Sequence, residues 1–81
     1  MFDSVDGLLV VSGFKLDERA KPDEGNRCWI GTWAIYELSE LGDWEKLAQG
    51  REAGDFSDQY AAEDAAREIG IHKARQMTHR K

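Results

Sequence analysis

The sequence predicts an α+β domain, an antiparallel three-stranded sheet followed by one C-terminal helix in the order β-β-β-α. Three observations predict it. Two stretches rich in β-branched and aromatic residues, 8–16 and 27–38, come first. A weaker alternating stretch, 44–53, follows them. After Phe56 the pattern changes to alanines at helical spacing.

Leu8-Leu9-Val10-Val11-Ser12-Gly13-Phe14-Lys15-Leu16 starts as an apolar run and becomes alternating, which reads as a first strand with Gly13 at a bulge or bend. Residues 17–26 hold the only proline and six charges ahead of Gly25 and Asn26, and they predict a mobile charged hairpin loop. Arg27 to Leu38 carries the strongest strand signal in the chain. Ser39-Glu40-Leu41-Gly42-Asp43 is a turn, and Trp44 to Ala53 reads as a third strand, more exposed and at the sheet edge.

Ser57 is expected to cap the helix, with Asp58 adding negative charge to its first turn and Phe56 placed to staple it. Ala61, Ala62, Ala65, Ala66 and Ile69 then recur at helical spacing, and Ala74 and Met77 continue the stripe. Gly70 is either a C-cap or a tolerated interior glycine. The helix is expected from about 58 to the high seventies, with a frayed tail over 78–81.

Eighty-one residues make a single domain, 1–81, that buries only about 60% of its unfolded surface and so has a thin core. The lone Cys28 cannot form an internal disulfide, and residues 1–6 carry acids where a signal peptide carries bases. The longest apolar run, Leu8 to Val11, is too short to span a bilayer. These features predict a cytoplasmic protein without a membrane partner.

Charge is unevenly spread. Residues 1–68 hold 7 Lys+Arg against 16 Asp+Glu, whereas 69–81 hold Lys73, Arg75, Arg80 and Lys81 and no acid. The acidic body disfavours nucleic acid, and the four C-terminal cations are the candidate contacts if it binds there. Their simpler role is to complement the dipole at the helix end.

Catalytic signals are weak. Cys28 lies in a predicted strand with no histidine at a catalytic spacing, and His72 and His79 are two helical turns apart. Asp23/Glu24 and Glu63/Asp64 are neighbouring carboxylates on a loop and a helix surface. The glycines form no phosphate loop or dinucleotide fingerprint. The expectation is a non-enzymatic protein without metal or cofactor.

The feature that bears on function is the strand 27–38. One face carries Cys28, Ile30, Thr32, Ala34, Tyr36 and Leu38; the other carries Trp29, Gly31, Trp33 and Ile35. Both are apolar, and one helix can cover only one of them. An alanine-lined helix packs close and favours bulky partners, hence the tryptophan face; the opposite assignment leaves Trp29 and Trp33 as an exposed platform. Sequence leaves both open. Trp29, Trp33, Ile35 and Tyr36 are therefore the candidate interaction residues, for a protein partner or a second copy in a homodimer.

Trp33-Ala34-Ile35-Tyr36, followed by Gly54-Asp55-Phe56-Ser57 leading into Ala61-Ala62 and Ala65-Ala66, resembles small sheet-plus-helix DNA-binding modules. These are the plant ethylene-response-factor type and the N-terminal arm-binding domains of some integrases. The resemblance covers roughly residues 27–70. It implies three strands and a helix, with the sheet entering the major groove and reading bases largely through arginines. This sheet offers Arg27, Lys46 and Arg51, diluted along the chain by Glu37, Glu45 and Glu52. The chain also resembles small bacterial proteins of this size, without a motif that attaches a family to it.

Overall fold

A computed structural model of the protein describes residues 1–17, 28–56 and 58–78, with the backbone alone over 53–55. The predicted loop beyond Asp17, together with Arg27, Ser57 and the tail from His79, lies outside the described residues. The chain is α+β, with one antiparallel sheet and one C-terminal helix. The sheet has four strands where three were expected: β1 (Phe2–Val5), β2 (Leu8–Leu16), β3 (Trp29–Leu38) and β4 (Trp44–Phe56), followed by α1 (Gln59–Thr78). Strand order is β1-β2-β3-β4, so each strand pairs with its neighbour in sequence.

The extra strand comes from a two-residue hairpin. Val5 pairs with Leu8, and Asp6 and Gly7 between them both take positive φ, 49° and 87°. Two successive left-handed residues make the type I′ turn whose twist matches the flanking strands, and Asp-Gly suits it best. β1 has only four residues, two of them Asp3 and Ser4, so its own strand propensity is poor. A bidentate ion pair fastens it to the helix: Arg67 donates from Nε and Nη2 to the Asp3 carboxylate at 2.8 and 2.9 Å.

The turn from β3 to β4 closes on Ser39, whose N–H donates to the Asp43 carbonyl at 2.7 Å and whose Oγ accepts from the Asp43 N–H at 3.2 Å. Gly42 takes a φ of 88° there. β4 is the outer strand, as expected for 44–53, but it continues to Phe56, and its pairing with β3 shifts register twice, between Trp29 and Ile30 and between Ile35 and Tyr36. Ile35 pairs with Ala48 while Tyr36 pairs with Lys46, which leaves Leu47 as the extra residue of a bulge.

The helix begins as a capped one. The Asp58 carboxylate accepts from the Tyr60 N–H at 3.0 Å, and its carbonyl accepts from the Ala62 N–H at 3.2 Å, so Asp58 performs the N-cap function. Ala62, Ala66, Gly70 and Ala74, four residues apart, form its buried stripe. Gly70 is thus an interior glycine, and its reason is steric. A Cβ there would come within 2.8 Å of Val10 Cγ1 and 3.2 Å of Trp33 Cβ. A Cβ on Gly31 would overlap the Ala62 carbonyl oxygen. Helix and sheet therefore approach backbone to backbone.

The bulk missing from the helix is supplied by β2 and β3. Val10 and Ile35 are fully buried, and Val5, Leu8 and Trp33 pack with them. The Trp33 indole lies over Gly50, its partner on β4, where any Cβ would meet the ring. Each large apolar side chain sealed in this way contributes about 1.5–3 kcal/mol.

Candidate functional site

Register decides which side of the sheet each side chain takes, because directly paired residues of an antiparallel ladder point the same way. Gly31, Trp33 and Ile35 face the helix, and so do their partners on β2 and β4. The tryptophan face is the core. Of the four residues expected on an interaction surface, Trp33 and Ile35 are buried under α1. Trp29, half-buried on the same side, meets Phe14 edge-on at 5.4 Å between ring centroids. Phe14 in turn stands 6.2 Å from the Tyr60 ring. Only Tyr36 lies on the open side.

The open side carries Phe2 and Ser4 of β1, then Leu9, Val11, Gly13 and Lys15 of β2. β3 adds Ile30, Thr32, Ala34, Tyr36 and Leu38, and β4 adds Trp44, Lys46, Gln49 and Arg51. Ile30 at one end is buried, whereas Phe2, Leu38 and Trp44 toward the other are 72%, 52% and 53% exposed. Val11, Gly13, Thr32 and Ala34 form the floor of a shallow depression of about 510 Å³, with Lys15 and Arg51 on its rim. Lys46 reaches back across the face, with Nζ 5.9 Å from the centre of the Tyr36 ring and donating to Gln49 Oε1 at 2.9 Å.

Charges are fully sorted between the two sides among the described strand side chains. The acids Asp3, Glu37, Glu45 and Glu52 all take the helix side, and the cations Lys15, Lys46 and Arg51 all take the open side. The bulge at Leu47 produces this sorting on β4. Without it, strict alternation would set Lys46 opposite in sense to Arg51, and Glu45 in the same sense as Arg51. With Leu47 inserted, the even positions before it and the odd positions after it face the same way. The dilution of Lys46 and Arg51 by acids, evident along the chain, is thus absent across the surface.

The remaining sequence candidates are dispersed. Lys73 and Arg75 are exposed on α1, while Arg80 and Lys81 lie outside the described residues. Cys28 is half-buried just before β3, its carbonyl accepting from the Asp17 N–H at 2.9 Å. His72 stands on the helix surface with its Nε2 3.1 Å from Gln76 Nε2. Among the described residues, no three His, Cys, Asp or Glu side chains are grouped to hold a metal ion, and no helix is long and apolar enough to cross a membrane. Hydrogen bonds from Arg67 hold the Asp3 carboxyl below its ordinary pKa and raise that of the guanidinium. Both groups serve to dock β1.

Compared with known proteins, the chain matches no family model, no curated protein and no solved structure.

Proposed function

We propose that this protein is a non-enzymatic binding module whose working surface is the open face of its sheet. The observation that carries the reading is the contrast across β3, where Trp33 and Ile35 are sealed beneath the helix while Leu38 and the neighbouring Trp44 remain half exposed to water. Large apolar side chains left at a surface forgo about 1.5–3 kcal/mol each, which a bound partner recovers. The described strand side chains of this face include no carboxylate or histidine, the groups that most often move protons.

Site-specific photo-crosslinking in the cell tests the reading. A photoreactive phenylalanine analogue at position 44, on the open face, should form a covalent adduct with a partner. The same group at position 68, exposed on the helix, should not. Absence of an adduct at 44, or equal labelling at both positions, would overturn the proposal.

A further inference from the structure

The charge sorting narrows what the open face can hold. We infer that its occupant is single-stranded nucleic acid, with bases stacked on Tyr36 and Trp44 and phosphates held by Lys15, Lys46 and Arg51. The inference rests on the open face being the working surface, and goes beyond it by naming the partner's chemistry.

Two independent features of the face meet the two halves of a nucleotide. The rings come first. Trp44 pairs with Leu38 and Lys46 with Tyr36, so Tyr36 and Trp44 are diagonal neighbours on adjacent strands. Such positions are about 7–8 Å apart, a step that an unstacked strand can bridge with successive bases. Phe2, 72% exposed two strands away, adds a third ring on the same side.

The cations come second. Lys15, Lys46 and Arg51 lie on three different rows of the ladder, and no described strand acid shares their side. A backbone crossing the face therefore meets positive charge at several points. The net charge of −5, and the turn acids Glu40 and Asp43 beside Trp44, reduce this attraction without reversing its sign across the strands. The strand acids project from the far side of the sheet, and ionic screening over about 8 Å weakens their reach.

The same observations disfavour other occupants. A second copy laid face to face would bring these lysines and this arginine against their own counterparts, with no described strand acid to pair them. A duplex hides the faces of its bases in its own stack and would leave the rings without partners. Three cations are also few for duplex binding.

Fluorescence anisotropy with end-labelled 12-mers of single-stranded RNA and DNA tests the inference on the full chain. With three phosphates neutralised and a slope of about −0.7 for each, raising salt from 50 to 200 mM should weaken binding about 20-fold. Tyr36→Ala with Trp44→Ala should cost at least tenfold, while Tyr36→Phe, which keeps the ring, should bind as the parent does. Lys46→Gln and Arg51→Gln should each flatten the salt dependence by about 0.7 in slope. Thermal melting of every variant separates lost binding from lost fold.

No binding at 50 mM salt would overturn the inference. So would equal affinity for duplex, equal competition by polyglutamate, or loss of binding on Lys73→Gln with Arg75→Gln but not on the face variants. The crosslink at position 44 distinguishes the two readings. A nuclease-sensitive adduct supports both. A protease-sensitive, nuclease-resistant one keeps the open face as the working surface and overturns nucleic acid as its occupant. No adduct defeats both.

Discussion

The two sides of one sheet solve opposite problems with the same alternating chain. Beneath the helix, small residues sit opposite large ones: Ala62, Ala66 and Gly70 against Gly31, Val10 and Trp33. The gap between layers closes until backbones touch, and a single added methyl has nowhere to go. On the open side, side chains of many sizes stand at or near the surface, and among the described strand residues there Ile30 alone is buried. The lesson is that tolerance divides by side of the sheet rather than by position along it. Neighbouring residues of one strand should therefore respond to substitution very differently.

The strongest way to break this comparison is to truncate a tryptophan on each side. Trp33→Ala should cost about 3–5 kcal/mol in urea unfolding, since it empties the space between Gly50 and Gly70. Trp44→Ala should stay within about 0.5 kcal/mol. Equal losses would show that the open side is packed after all. Next in size, Gly31→Ala should destabilise by about 1–3 kcal/mol or somewhat more, because its Cβ meets helix backbone rather than a movable side chain. Gly13→Ala, whose Cβ would rest 3.4 Å from Thr32 Oγ1, should be nearly neutral by the same measurement.

A subtler test removes Leu47. Its deletion should let β4 pair without a bulge while Trp44 and Lys46 keep the open face, because Lys46 and Ala48, joined directly, already face opposite ways. Cross-strand nuclear Overhauser contacts should still set Tyr36 opposite Lys46, and oligonucleotide affinity should be retained. A reversed register would mean that Leu47 is not the extra residue that sorts the charges.

The smallest effect concerns β1. Folding lowers the Asp3 pKa, so the stabilisation from Arg67 is fully present above the ordinary carboxylate value of about 3.9 and lost as pH falls through the depressed folded value. Asp3→Asn should therefore lower the urea midpoint slightly at neutral pH, with the gap to the parent closing below the ordinary carboxylate range. A gap that persists in acid would mean that Arg67 does not dock this strand through charge.

Much of the fold was legible because its signals are local. The strands around Val10 and Ile35 announce themselves by β-branched and aromatic content, and the helix by its alanine spacing. The small stripe even favoured Trp33 as the packed residue. β1 was missed because Phe2-Asp3-Ser4-Val5 has little strand character of its own; the Asp6-Gly7 dipeptide between Val5 and Leu8 was the available signal. The open face was harder to read. Its membership depends on one unpaired residue, Leu47, whose effect is to reverse the alternation of everything before it. Composition along β4 mixes Glu45, Lys46, Arg51 and Glu52, and only the register separates them.

Because Trp33, Trp29 and Trp44 occupy three different settings, the protein carries its own optical reporters. Indole emission shifts to shorter wavelength when the ring is shielded from water and is quenched by iodide when it is not. Emission from Trp33 should follow the seating of the helix, while the iodide-sensitive fraction should come chiefly from Trp44 and fall when the open face is covered. A single cuvette can thus watch the packed side and the free side of the same sheet independently, without a label.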